Sequence, residues 1–180
     1  MRTIAWTPIT DTEFIPPLGP ALAAHIQSYR NTAVRQASCS VWGLLYRELS
    51  RLGAAPAEVA FTAGGKPCFP DCHIRFSLSH SKGLCAVSLA DVPTGVDIQL
   101  IKDCYNPRLV KRSLSIAERE SYDGDFTRLW CRKEAYAKLT GTGLTGYPCY
   151  IDTTALSCEF TEEKISWQGN AFWLVSAFGG

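Results

Sequence analysis

The stretch Phe126–Gly143, FTRLWCRKEAYAKLTGTG, decides how the rest of this chain is interpreted. It predicts a helix from about Asp125 to Thr140, because an Asp stands at the cap position and Gly141 follows the last turn. Helical spacings of three and four place five residues on one side: Trp130, Glu134, Ala137, Lys138 and Gly141. A carboxylate and an ammonium group one turn apart usually belong to a solvated helix face. A second signal is therefore needed before this helix indicates a site.

The strand-like stretch Gly95–Leu100, GVDIQL, supplies that second signal. Its alternation places the apolar side chains on one face and Asp97 and Gln99 on the other. An Asp within a β-branched strand is disfavoured unless it has a partner or a task. Mg²⁺ is typically held by one or two carboxylates together with waters and substrate phosphates. Asp97 and Glu134 are therefore candidate metal ligands, and Lys138 is placed to meet a phosphate.

Together the two stretches resemble the paired signature of the 4'-phosphopantetheinyl transferases, whose commoner form is GVDIE or GIDIE followed by WxxKEAxxK. The second motif matches at Trp130, Lys133, Glu134, Ala135 and Lys138. The first motif departs from the family at Gln99, where a third acidic metal ligand is usual. The carboxamide of Gln99 can still offer one oxygen to the metal, and a water molecule in that position is the alternative.

The resemblance implies an enzyme of the holo-[acyl-carrier-protein] synthase type. Such an enzyme moves the phosphopantetheine arm of coenzyme A onto a serine of an apo carrier protein, depends on Mg²⁺ and releases 3',5'-ADP. Glu134 and Lys138 are then the expected catalytic residues. Glu134 is the candidate base for the serine proton, either directly or through a metal-bound water.

The resemblance also implies an α+β fold of two similar α/β lobes related by a pseudo-twofold, as in the surfactin-type branch of the family. Coenzyme A is expected between the lobes, and the protein is expected to be a monomer. The turn at Asp91–Gly95 is the expected seam. It separates an N-terminal lobe for coenzyme A, residues 1–94, from a C-terminal lobe for the metal and the catalytic residues, residues 95–180.

Six residues are expected to hold coenzyme A by resemblance: Arg30, Arg35, Lys66, Ser79, His80 and Lys133. The two arginines flank the start of a predicted helix, and their forked donors suit the 3'-phosphate. Lys66 belongs to a Gly-Lys-Pro element at the adenine end of the cofactor, and His80 belongs to a Ser-His-Ser element that meets a phosphate. Without the resemblance, these would be surface arginines, a turn and a hydrogen-bonded histidine.

Composition narrows the classes of partner. The 18 basic and 17 acidic residues nearly balance, so we expect no nucleic acid partner. No run approaches the roughly 18 apolar residues of a membrane span, and we expect a cytoplasmic protein without a membrane partner. The eight cysteines lack paired spacing and are expected to be reduced. Cys68, Cys72 and His73 lack a second pair of zinc ligands, so a zinc-binding interaction protein is a distant alternative.

Two features upstream of the central helix complete the sequence interpretation. Ser115 and Glu118 have the spacing of a capping box. Arg108, Lys111 and Arg112 form a basic cluster, which is either a solvated face or a docking patch for an acidic carrier protein. The main alternative to an enzyme is a non-catalytic module that binds coenzyme A or a carrier protein, and Gln99 is its only support in the sequence.

Overall fold

A computed structural model describes residues 1–10, 19–55, 57–144 and 147–179. The first half contains strand β1 (Arg2–Pro8), helices α1 (Pro20–Gln27) and α2 (Thr32–Arg51), and strands β2 (Ala60–Phe61), β3 (Pro67–Cys68), β4 (Arg75–Ser81) and β5 (Leu84–Ala90). The second half contains strand β6 (Thr94–Leu100), helices α3 (Pro107–Ser113), α4 (Ile116–Glu120) and α5 (Phe126–Thr140), a 3-10 turn (Pro148–Tyr150), and strands β7 (Glu159–Trp167) and β8 (Asn170–Phe178).

Two three-stranded antiparallel sheets are built in the same way. Strand β5 lies between β1 and β4, and strand β8 lies between β6 and β7. In each half a strand and a long helix precede a hairpin, and the last strand of that hairpin becomes the middle of the sheet. Helix α2 packs on the first sheet and α5 on the second. The fold is therefore mixed α and β, as the sequence predicts.

Helix α5 begins and ends where its sequence indicates. Asp125 accepts a hydrogen bond from the backbone N–H of Arg128 at 3.0 Å, which caps the first turn. Gly141 ends the helix in the left-handed conformation, with φ of 73°. The second carboxylate oxygen of Asp125 accepts from the indole N–H of Trp173 at 2.7 Å. The capping residue therefore also ties the helix to strand β8.

Strand β6 and helix α5 approach so closely that their contact tolerates only glycine. A Cβ added at Gly95 would lie 1.9 Å from the carbonyl oxygen of Ala135 and 2.5 Å from the backbone nitrogen of Leu139. Real side chains do not occupy such distances. This contact brings the strand that carries Asp97 directly beneath the helix that carries Glu134 and Lys138.

A ladder of serine hydroxyls joins the two sheets. Alternate residues of β4 point at the edge of β6 that β8 does not pair, and their hydroxyls accept hydrogen bonds from its backbone N–H groups. The pairs are Ser77 with Val96 at 3.1 Å, Ser79 with Ile98 at 3.3 Å, and Ser81 with Leu100 at 3.4 Å. These side chains satisfy backbone donors that would otherwise be left without partners in the interior.

Two further findings bear on the expected class of protein. Within the described ranges, no helix combines the length and the apolar character that crossing a membrane requires. Seven cysteines are free thiols: Cys68, Cys72, Cys85, Cys104, Cys131, Cys149 and Cys158. Cys39, Cys85 and Cys131 are buried.

Candidate active site

Asp97 lies at the centre of the serine ladder and is only 2% exposed. Its Oδ1 accepts hydrogen bonds from the Lys138 ammonium at 2.7 Å and from the Ser79 hydroxyl at 2.8 Å. Its Oδ2 is buried and has no hydrogen-bond partner among the described residues. A buried carboxylate oxygen without a partner costs free energy unless a ligand satisfies it. Asp97 therefore has one paired oxygen and one buried oxygen without a described hydrogen-bond partner.

Glu134 lines a pocket of about 250 Å³ between strand β4 and helix α5, together with Lys138 and Lys66. Burial raises the pKa of Glu134, and the negative charge of Asp97 raises it further, while the Lys138 ammonium acts in the opposite direction. The charge of Asp97 thus disfavours the charged form of the Glu134 carboxylate. A cation between them would remove that conflict.

The donor set of Asp97 and Glu134 fits a hard divalent cation that keeps waters or phosphate oxygens as its remaining ligands. Within the described part of the chain, no three His, Cys, Asp or Glu side chains gather into a metal-binding group. Gln99 stands two residues beyond Asp97 on the same face of β6, and its carboxamide oxygen accepts from the Ser81 hydroxyl at 3.4 Å. The site thus has two carboxylates and one neighbouring carboxamide.

A second pocket of about 290 Å³ continues from the first and shares Gly65, Pro67 and Leu78 with it. Five aromatic side chains contribute to its wall: His25, Tyr29, Trp42, Phe61 and His80. Ser79 lines this pocket as well. The two pockets together form a continuous cleft along β4.

His80 stands at the edge of this cleft. Although the residue is exposed, protein atoms packed around its ring are the main cause of a lowered pKa, followed by the Lys138 ammonium; the Asp97 charge opposes both. A lowered pKa favours the neutral imidazole at neutral pH, so the ring can donate one hydrogen bond to a ligand in the cleft.

Lys66 joins the two halves at the same cleft. Its ammonium donates to the backbone carbonyls of Thr94 at 2.9 Å and Leu139 at 3.3 Å, and so reaches the last turn of α5. Burial lowers the pKa of Lys66 to about 8. A nearby anion would favour the charged form of this side chain.

Arg30 and Arg35 flank the start of α2, as the sequence indicates. Neither guanidinium group has a hydrogen-bond or ion-pair partner among the residues that the structure describes. Their chain neighbours Tyr29 and Val34 line the second pocket, which places the backbone of both arginines at its rim.

Lys133 is not brought together with these residues. It is fully buried, its ammonium lies 2.6 Å from the Glu118 carboxylate, and it donates to the carbonyls of Pro148 and Ile151. This placement does not fit the expected contact between Lys133 and coenzyme A, because protein oxygens enclose the ammonium. The sequence could have indicated that Lys133 is buried, because helical spacing places it on one face of α5 with Phe126 and Leu129.

Glu118 does more than the capping box predicts. The box is confirmed: Ser115 N–H donates to Oε2 at 2.8 Å, and the Ser115 hydroxyl accepts from Glu118 N–H at 3.1 Å. Oε1 accepts from both the N–H and the hydroxyl of Thr153, at 3.0 and 2.7 Å. Burial acts to raise the pKa of Glu118, but hydrogen bonds from Lys133, Ser115 and Thr153 outweigh it and lower the pKa.

Known proteins resemble the part of the chain that holds this site. Residues 93–172 match the profile of the 4'-phosphopantetheinyl transferase superfamily. The 4'-phosphopantetheinyl transferase ffp of Bacillus subtilis is 32% identical over 107 residues, which cover 49% of this chain and 44% of that protein. The 4'-phosphopantetheinyl transferase psf-1 of Bacillus pumilus is 34% identical over 99 residues, 45% of this chain and 38% of that protein.

A third relative is slr0495 of Synechocystis, named a putative 4'-phosphopantetheinyl transferase. It is 33% identical over 118 residues, which cover 57% of this chain and 47% of that protein. The matches therefore span less than half the length of each of these relatives. The region that matches the profile includes Asp97, Glu134 and Lys138. As the two motifs predict, residues 93–172 resemble the 4'-phosphopantetheinyl transferase superfamily.

Proposed function

We propose that this protein transfers 4'-phosphopantetheine from coenzyme A to a serine hydroxyl of an apo carrier protein, as a holo-[acyl-carrier-protein] synthase does. The observation that carries the proposal is the buried Oδ2 of Asp97, which has no hydrogen-bond partner among the described residues. Its strand packs against helix α5, whose Glu134 and Lys138 line a pocket. The names of the relatives support the reaction type. A monomer in the cytoplasm, where coenzyme A meets biosynthetic carrier proteins, is part of the proposal.

Mg²⁺ is the metal that we propose for the site. Asp97 and Glu134 would hold it, and either Gln99 or a water molecule would take the third position. When bound, the ion supplies positive charge that neutralises the pyrophosphate of coenzyme A.

Coenzyme A would lie in the cleft along β4. The guanidinium groups of Arg30 and Arg35, which have no partner among the described residues, suit the 3'-phosphate. Lys66 and the neutral imidazole of His80 would meet the phosphates of the nucleotide end. The aromatic wall of the second pocket is suited to the adenine ring.

The transfer forms one bond and breaks another. The serine oxygen bonds to the β-phosphorus of coenzyme A, and the bond from that phosphorus to the bridging oxygen breaks, so that the electron pair leaves with 3',5'-ADP. The serine proton moves to the carboxylate of Glu134, directly or through a water molecule. The raised pKa of Glu134 makes it a better proton acceptor than an ordinary carboxylate. Lys138 places positive charge beside the reacting phosphate.

We further propose that the halves 1–94 and 95–180 are two lobes related by a pseudo-twofold, with coenzyme A between them. The shared order of strand, long helix and hairpin supports this arrangement, as does the central position of the last strand in both sheets. In this arrangement the first lobe supplies Arg30, Arg35, Lys66 and His80, and the second lobe supplies the two carboxylates and Lys138.

Helix α3 is the proposed docking surface for an acidic carrier protein. Arg108, Lys111 and Arg112 are all exposed on it. Reversing both Lys111 and Arg112 to Glu should raise the KM for the carrier about tenfold, because like charges would oppose docking. The affinity for coenzyme A should not change. Lys164→Glu, a charge reversal on the distant strand β7, is the control, and an unchanged KM in the double variant would remove the docking surface from the proposal.

Intact-mass spectrometry tests the proposed function. An apo acyl carrier protein is incubated with this protein, coenzyme A and Mg²⁺, with and without a chelator. We expect the carrier to gain one phosphopantetheine and to gain nothing when the chelator is present. If several apo carriers gain nothing although the protein binds coenzyme A tightly, the chain is the non-catalytic binding module instead.

A further inference from the structure

The ion pair of Glu118 and Lys133 is closed on every side. Both residues are 0% exposed. The Lys133 ammonium contacts the Glu118 carboxylate and the carbonyl oxygens of Pro148 and Ile151. The Glu118 carboxylate also accepts hydrogen bonds from Ser115 and Thr153. Such a pair has no surface for a ligand, so its function must lie in what it joins.

The pair joins three pieces of chain: helix α4 through Glu118, helix α5 through Lys133, and the segment 148–153 that contains the 3-10 turn. That turn buries none of its own residues, although it touches α3. Tyr150 is 83% exposed, and Tyr147, just before the turn, is 57% exposed. Hydrogen bonds from Lys133 to the turn carbonyls therefore supply an anchor that apolar burial does not.

We propose that Glu118 and Lys133 are positioning residues, which fix the tyrosine-bearing turn against the helix that carries Glu134. Lys133 and Glu134 are consecutive in α5, so the anchor and the site carboxylate share one rigid backbone. An apolar pair of similar volume could fill the same space, but it could not hold the two carbonyl groups in a defined direction. The pair thus contributes geometry that its burial alone does not provide. Its consequence for turnover rests on the proposed function.

Hydrogen–deuterium exchange separates positioning from mere space filling. The test variant is Glu118→Leu with Lys133→Met, because replacing both charges by apolar groups avoids leaving one buried charge unpaired. We expect this variant to fold, with at least tenfold faster exchange across 148–153 and unchanged exchange in the first sheet. Thr153→Val removes only the bond from its hydroxyl to Glu118 and should give a smaller increase confined to the same segment. Arg2→Met with Glu159→Leu, which removes an exposed ion pair, is the control and should not alter that segment.

Calorimetry with coenzyme A tests whether Lys133 contacts the cofactor instead. A positioning role leaves the Kd of the double variant within about twofold of the unchanged protein, and kcat for carrier modification falls about tenfold at constant KM for coenzyme A. Exchange across 148–153 that matches the unchanged protein would overturn the inference. A Kd weakened tenfold or more would also overturn it and return Lys133 to the cofactor. If the unchanged protein modifies no carrier, the proposed function fails, while exchange and Kd still decide the role of the pair.

Discussion

Helix α5 carries two lysines that pair with carboxylates at nearly the same distance, and only one of the pairs belongs to the site. Lys133 lies 2.6 Å from Glu118, and Lys138 lies 2.7 Å from Asp97. In the first pair both side chains are 0% exposed, whereas in the second the Lys138 side chain is 29% exposed and one oxygen of Asp97 has no described partner. The distance between charges therefore does not distinguish the enclosed pair from the pair in the candidate site. The unused hydrogen-bonding capacity of Asp97 does.

The helix itself explains why the two lysines differ. They are five residues apart in the sequence, and at about 100° per residue their side chains point about 140° apart around the axis. Lys138 consequently faces strand β6, whereas Lys133 faces α4 and the 3-10 turn. A motif that contains both lysines does not by itself assign them to one site.

Breaking the pair that contains Asp97 should have the largest effect. Asp97→Ala or Glu134→Ala removes a carboxylate from the proposed metal site, and turnover should fall by about 10³-fold or more. Circular dichroism should show a folded protein. Thr153→Val, which alters only the other pair, should retain far more activity. Appreciable turnover of the Ala variants in excess Mg²⁺ would refute the metal assignment.

Breaking the closed pair should instead lower stability. Lys133→Met leaves the buried Glu118 carboxylate without its counter-ion, which should cost about 3–5 kcal/mol in the free energy of unfolding. Lys138→Met should cost less, about 1–3 kcal/mol, because Asp97 keeps its bond to Ser79. Urea unfolding of both variants measures the difference. Equal losses would mean that the two pairs do not differ as described.

Substitution at Gln99 sharpens the comparison, because it changes the charge of the site and leaves the closed pair intact. Gln99→Glu adds the acidic group that the family motif usually has, and we expect about tenfold tighter binding of Mn²⁺ as a probe metal. Calorimetric titration of the variant and the unchanged protein measures this. Activity should be preserved or should depend more strongly on the metal. Loss of activity would assign Gln99 another role, for which its contact with Ser81 is the starting point.

The smallest expected effect is the uptake of a fraction of a proton by Lys66 when coenzyme A binds. With a pKa of about 8, part of this side chain is deprotonated near pH 8.5, and a phosphate placed beside it would raise the pKa. Binding of coenzyme A should then take up a fraction of a proton at that pH and much less at pH 6.5. Calorimetry in two buffers of different ionisation enthalpy measures the uptake. Lys66→Met should remove it, and equal uptake in that variant would place the cofactor phosphates elsewhere.

Local sequence predicted the parts of this fold that depend on near neighbours. Asp125, Gly141 and the Ser115–Glu118 box act within one helical turn, so their types and spacing are sufficient. The alternation of β6 likewise placed Asp97 and Gln99 on one face. Lys133 shows where this approach fails, because the partners that enclose it come from elements distant in the sequence. The serine ladder could not be predicted for the same reason. Its hydroxyls bond to strand β6 and leave no recognisable pattern in the sequence of β4.

The hydrogen bonds that Ser79 already makes limit what its hydroxyl can offer to a ligand in the cleft. Its hydroxyl has one hydrogen, which it donates to Asp97, and its oxygen already accepts from Ile98 N–H and the Lys138 ammonium. A phosphate oxygen needs donors, and this hydroxyl has none to offer while it donates to Asp97. By the same count, the Lys138 ammonium already donates all three of its hydrogens, whereas the Lys66 ammonium donates two to described carbonyls and keeps one. A phosphate beside Asp97 would therefore meet the positive charge of Lys138, and Lys66 and His80 would be the side chains placed to donate hydrogen bonds to it.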